Sequence, residues 1–320
     1  MVKKSYCISF PTSVYAALEL NNTLYIGGSD WDRRKIPYTK EIAKKSRGLV
    51  YMLKNTGKSF VKEKKLQFNS MVYSIIKIDR KKIFVGCKSR NKSLNIIDLE
   101  GKTIKQKNSF CGGIYNSFFN QKKKEILLTT RKGTIEIIDS NTLKTKNSLQ
   151  LAKKGTRLWS IKVNNKNIYA GDYDGNLYVV SRNHFFKKSV IKLDTKKFYK
   201  GDERLKQNLG PSLFGIELMD NKLILGTRWG DVIILNKNLA FQKKIYLGED
   251  VSCIEKLSKK SVLVGTRYGK LFLFDTKNMN FSKIMEIKPA LQKENAIWGM
   301  TSDKKGVLVC FADGNVCRIV

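Results

Sequence analysis

The stretch Leu158-Trp159-Ser160-Ile161-Lys162-Val163 runs into Asn164-Asn165-Lys166-Asn167, then Ile168-Tyr169-Ala170-Gly171, Asp172-Tyr173-Asp174-Gly175 and Asn176-Leu177-Tyr178-Val179-Val180. It reads as three short strands joined by two polar turns, because apolar residues alternate while Asn, Asp and Gly supply turn chemistry. The same unit opens at Val14-Tyr15-Ala16, Val72-Tyr73-Ser74, Ile114-Tyr115-Asn116, Leu213-Phe214-Gly215, Val251-Ser252-Cys253 and Ile297-Trp298-Gly299, at intervals of 38 to 58 residues. Such intervals fit a four-stranded blade, the longer ones carrying insertions. A single blade cannot bury both faces of its sheet, so blades must stack and the ring must close. The sequence therefore predicts an all-β fold, a seven-bladed β-propeller of four-stranded antiparallel blades, occupying residues 1–320 as a single domain. Blades are expected near 12–69, 70–111, 112–154, 155–210, 211–248, 249–293 and 294–320. The last unit holds only three strands; the segment 3–10, ahead of the first unit, supplies the fourth and removes an open edge.

These residues also resemble a known family. Leu158-Trp159-Ser160-Ile161 is similar to the inner strand of WD-repeat propellers, whose third strand ends in Trp-Asp. Asp98, Asp139 and Asp275 keep the Asp, Ile97, Ile138 and Phe274 replace the Trp, and the Gly-His dipeptide is missing throughout. The stretch 171–178 also resembles the blades of quinoprotein-type (YVTN-like) propellers. As a divergent likeness spanning the whole chain, this implies the architecture and, for WD-repeat-like propellers, a protein-interaction scaffold. It names no ligand or reaction.

Composition narrows the function classes. At 42% hydrophobic residues the chain can bury a large core, and no apolar run of bilayer-spanning length exists. The start turns polar at Pro11-Thr12-Ser13 before a secretory segment forms, so the expected location is cytoplasmic. Cys7, Cys87, Cys111, Cys253, Cys310 and Cys317 lie in strand-like stretches without a C-x-x-C pair and are expected as buried, reduced thiols. Cys317 is the expected packing neighbour of Cys7. One histidine, His184, argues against a His-containing zinc site or catalytic dyad. Phosphate-loop, nucleophile-elbow, zincin and EF-hand spacings are all missing. Asp172 and Asp174 read as caps of a tight turn, and Glu19, Glu217 and Glu255 recur on inner strands where they would line the channel. No catalytic residue, metal ligand or cofactor is expected, and the chain is expected to be a monomer.

Charge is the unusual quantity. Sixty-two Lys and Arg face 27 Asp and Glu, a formal net +35. An AT-rich coding bias inflates Lys and Asn but should inflate Glu too, so it leaves the shortage of acids unexplained. The excess attracts nucleic acid, an anionic membrane surface or an acidic protein. With this strand order, turns between second and third strands share a face, the top, with the connections between blades. Bottom turns carry lysines such as Lys81-Lys82 and Lys259-Lys260, which read as a solvated rim.

Nine of 12 arginines map to the top. Arg131, Arg228 and Arg267 stand two residues before the turn Gly, Trp229 and Tyr268 follow two of them, and Tyr173 takes the position in blade four. Arg90 occupies the matching loop of blade two, and Arg157 enters the inner strand of blade four. Two insertions share this face: 29–47, with Trp31, Arg33, Arg34 and a short helix expected over 37–45, and 194–210. The leading reading is a non-enzymatic platform whose top face binds RNA or single-stranded DNA. Arginines and insertion lysines would meet phosphates, while Trp229, Tyr268, Tyr173 and Trp31 stack on bases. An acidic protein segment held by the same residues is the alternative, and an enzyme using the central channel the third. The bland alternative has these arginines bonding carbonyls of neighbouring blades.

Overall fold

A computed structural model describes residues 3–31, 45–56, 59–89, 91–183, 185, 190–206, 210–287 and 295–320. Its strands form seven four-stranded antiparallel sheets, the blades of a closed propeller. Inner strands of successive blades touch in order, and the first blade's touches the last's. Six blades run from inner to outer strand along the chain. The seventh contributes Ile297–Asp303, Gly306–Phe311 and Asn315–Ile319, and its outer strand is Lys4–Ser9 from the chain's beginning.

Stacking of blades explains the Gly that ends the second strand of the repeat. A Cβ at Gly171 would stand 2.6 Å from Leu213 Cβ, which opens the next inner strand. Its absence lets a fully buried Leu213 nest against blade four. The Asp that ends third strands has a local task. Asp98 accepts from Lys102 N (2.7 Å), and Asp275 from Lys277 N (2.8 Å). Asp139 accepts from Thr142 N (2.8 Å), and this bond, before its other partners, pulls the carboxyl down to about 2. The residues beside them, Ile97, Ile138 and Phe274, are fully buried apolar side chains.

Closure departs from expectation at one point. The strand Lys4–Ser9 pairs antiparallel with Asn315–Ile319, and the register puts Cys7 opposite Cys317 with Cα atoms 4.1 Å apart. Their sulfurs are bonded, so this pair is a disulfide and not two packed thiols; Cys87, Cys111, Cys253 and Cys310 are free. Directly opposed residues of an antiparallel pair project to one face, which is why the bridge forms. Buried Arg318 reinforces it, donating to Asp303 (2.8 Å), Glu19 (2.7 Å) and Tyr6 Oη (3.3 Å) and so tying blade seven, blade one and the closing strand together.

The second insertion folds back on blade five through two short 3-10 turns, Thr195–Tyr199 and Glu203–Lys206. Tyr199 is buried edge-on against Trp229, with centroids 4.8 Å apart. Arg204 pairs with Asp202 (2.6 Å) and Asp231 (3.2 Å) and lies over the rings of Tyr199, Trp229 and Tyr246. The helix expected over 37–45 falls outside the described residues but for its last position, and Arg33, Arg34, Arg90 and His184 lie outside them entirely. No described helix is long and apolar enough to cross a membrane.

Candidate functional site

Each inner strand slips register once, at the same place. The shifts fall between Val14 and Ala16, Val72 and Ser74, Ile114 and Asn116, Leu158 and Ser160, Leu213 and Gly215, Val251 and Cys253, and Ile297 and Gly299. The skipped residues are Tyr15, Tyr73, Tyr115, Trp159, Phe214, Ser252 and Trp298. A β-bulge re-aims the side chain it carries. Here the aromatic rings meet across the top of the channel. Tyr15 stacks on Tyr73 (4.8 Å) and Tyr115 on Trp159 (4.7 Å), and Trp159 also touches Phe214 (5.1 Å) and Trp298 (6.0 Å).

Under this collar lies a cavity of about 310 Å³, walled by small residues such as Ser74, Ser117, Ser160, Gly215 and Gly299. At its lower end Lys162 bridges Glu217 (2.6 Å) and Glu255 (3.3 Å), and Ser302 donates to Glu255 (2.6 Å). Burial works against the Lys162 ammonium, but the carboxylates of Glu255 and Glu217 outweigh it and hold its pKa up. Burial raises the Glu217 carboxyl against the pull of Lys162. Glu19 is paired with Arg318 and Lys305. Glu19, Glu217 and Glu255 are thus each ion-paired within the fold. Asp172 accepts from Asp174 N, Asn176 N, Asn176 Nδ2 and Tyr178 Oη at 2.7–2.9 Å and caps its own turn. Burial raises its pKa. Among the described residues, no three His, Cys, Asp or Glu side chains gather as a metal site.

Around the collar stands a second repeated position. In every blade one residue of the top turn donates its backbone N–H to the residue just ahead of the inner strand. Lys88 N meets Met71 O, Arg131 N meets Gly113 O, Tyr173 N meets Arg157 O, Arg228 N meets Ser212 O and Arg267 N meets Asp250 O, at 2.9–3.0 Å; Ser29 and Ala312 complete the set. Blade two therefore fills this position with Lys88, whose Nζ lies 5.6 Å from the Tyr73 centroid. Lys88 stands two residues after Gly86, the spacing of Arg228 from Gly226 and of Arg267 from Gly265.

Tyr173 links rim to collar. Its ring lies 5.8 Å from Phe214 and 6.5 Å from Trp159. Two guanidinium groups stand over it, Arg157 at 5.6 Å and Arg228 at 5.9 Å, and Arg228 Nη1 donates to Tyr173 Oη (3.2 Å). Asp250 lies 3.1 Å from Arg267 Nη1 and 3.9 Å from Arg228 Nε, so it partly balances those two. Among the described residues, Arg157 and exposed Arg131 have no acidic partner, and neither they nor Arg228 donate side-chain hydrogen bonds to a carbonyl. Arg204 does so, to Trp229 O (2.7 Å), and is committed to the insertion.

Two expected stacking rings are buried. Trp229 is 9% exposed, wedged between Tyr199 and Arg204, and Trp31 is 4% exposed in a cluster with Tyr15 and Met71. Both sit where loop meets core, so burying the ring outweighed displaying it. Tyr268 stays 40% exposed and Tyr173 is partly so. The chain matches no protein-family profile and no curated protein.

Proposed function

We propose that this propeller is a non-enzymatic binding platform that holds single-stranded nucleic acid, RNA or DNA, across the top mouth of its channel. The observation that carries the reading is the convergence of Arg157 and Arg228 on the one ring of Tyr173, beside the collar. Two like charges over one ring repel each other, and a phosphate between them relieves that repulsion while accepting charge-assisted bonds. Arg131, Lys88 and Arg267 extend the cationic rim, and Tyr268 offers an exposed ring. The net +35 suits a polyanion better than one short acidic segment. Arg90, Arg33 and Arg34 belong to the same reading by their sequence positions. Kinship with WD-repeat-like propellers, as a divergent relation, is part of it and draws on the ring and the turn-capping Asp98, Asp139 and Asp275.

Fluorescence anisotropy with a labelled single-stranded oligonucleotide tests the reading. Affinity should fall steeply between about 50 and 200 mM salt through counterion release. Replacing Arg157 and Arg228 together by Ala should weaken binding about 100-fold or more, as loss of two charge-assisted contacts requires. Replacing Lys259 and Lys260, on the opposite face, should change it far less. No binding at low salt, or a nuclease-resistant complex with an acidic protein displaced by the same Arg substitutions, overturns the nucleic-acid reading.

A further inference from the structure

The collar is incomplete in one sector. Six of the seven bulges present an aromatic ring, but blade six presents Ser252, whose hydroxyl turns away to bond Gly265 O (3.1 Å) and Ile297 O (2.6 Å). Phe214 and Trp298, on the blades either side, each touch Trp159, while no ring contact joins them to each other among the described residues. The vacant sector is therefore bounded by Phe214, Trp298 and Trp159. Directly on its rim, at the turns of blades five and six, stand Arg228 and Arg267 with Asp250 between them.

Trp298 adds a polar signal. Its Nε1–H is shielded from solvent and, among the described residues, has no acceptor, although a buried indole N–H ordinarily finds one. A partner with an acceptor atom in the plane of a flat ring would satisfy it. The cavity of about 310 Å³ below lies at the small end of the range for ligand pockets. That suits one planar ring system and excludes a base pair.

From these observations we propose that the gap in the collar is a nucleotide seat. One unpaired nucleobase enters between Phe214 and Trp298 and rests on Trp159, its entry turns the Trp298 ring so that a base carbonyl or ring nitrogen accepts from Nε1, and its phosphate meets Arg228. This rests on the reading of the top face above and deepens it, because it makes the platform selective for an unpaired base. The base belongs either to a strand or to a free mononucleotide; the chemistry at the seat is the same.

Tryptophan fluorescence of the full chain is titrated with AMP, with a single-stranded octanucleotide, with the same octanucleotide carrying abasic sites throughout, and with the duplex. Saturable quenching by AMP or by the intact single strand is expected, and the tighter of the two identifies the source of the base. Abasic strand and duplex should bind at least about tenfold more weakly, the order of one lost base–aromatic stack. Trp159→Ala should weaken binding about 10- to 100-fold and Trp159→Phe by less. Trp298→Phe, which keeps a ring and deletes the N–H, should weaken it several-fold. If intact and abasic strands bind equally and both Trp298→Phe and Trp159→Phe match the parent, the seat is overturned while the platform stands. If no nucleic acid binds even at low salt, both fall.

Discussion

Arg204 illustrates how one side chain changes meaning between sequence and structure. In the chain it is one of nine arginines assigned to the top face; in the fold it is held by Asp202 and Asp231 and covered by aromatic rings. Its hydrogen bonds, first among the causes, hold the Asp202 carboxyl down at about 2, below its ordinary 3.8. A depressed carboxyl contributes stability that is fully present above the unfolded value and is lost as pH falls through the folded one. Melting temperature should therefore decline between about pH 4 and pH 2, and Asp202→Asn should remove part of that slope. At neutral pH the substitution should cost about 1 kcal/mol or less, since the pair is partly exposed. A pH series of thermal melts on the two proteins measures both effects. Tyr173 moves the other way: read in the sequence as a candidate stacking ring at the Arg position of blade four, it stands in the fold where rim and collar meet.

At the scale of elements, the bulge and the closing strand matter most. The bulge turns a residue that would otherwise alternate into the sheet toward the channel, and because it recurs in every blade the rings meet at one place. The closing strand is largely exposed along its length and depends on its last-blade partner, on Arg318 and on the Cys7–Cys317 bridge. A bridge spanning 310 residues removes much of the unfolded chain's freedom and should contribute up to about 5 kcal/mol. Reduction should lower the denaturant midpoint of the parent chain, while Cys7→Ser should begin at the lower midpoint and ignore the reductant. Equal midpoints for oxidised and reduced parent chain would contradict the stapled closure.

Over the whole molecule, charge acts on stability and on binding with opposite sign. A net +35 repels itself within the compact state, and raising salt from about 10 mM to 100 mM shortens the screening length from roughly 30 Å to 10 Å. Melting temperature should rise over that interval while affinity for single-stranded nucleic acid falls. Scanning calorimetry paired with anisotropy in the same buffers checks this. A melting temperature that falls with salt would mean that surface ion pairs outweigh the self-repulsion.

Architecture was legible in the chain because a repeat announces itself: Tyr15, Tyr73, Tyr115, Trp159, Phe214 and Trp298 recur at blade spacing, and a three-stranded last unit needs 3–10 to complete it. Those same aromatics served there only to count blades. That they form a collar follows from a one-residue register slip, which has no spelling in a single strand because it is a relation between two. Likewise, the sulfur bridge, the burial of Trp31 and Trp229 and the pairing of Glu19, Glu217 and Glu255 depend on which residues lie opposite one another once the ring has closed. Local pattern determined the blades; distances between residues far apart in the chain decided what each blade displays at the mouth.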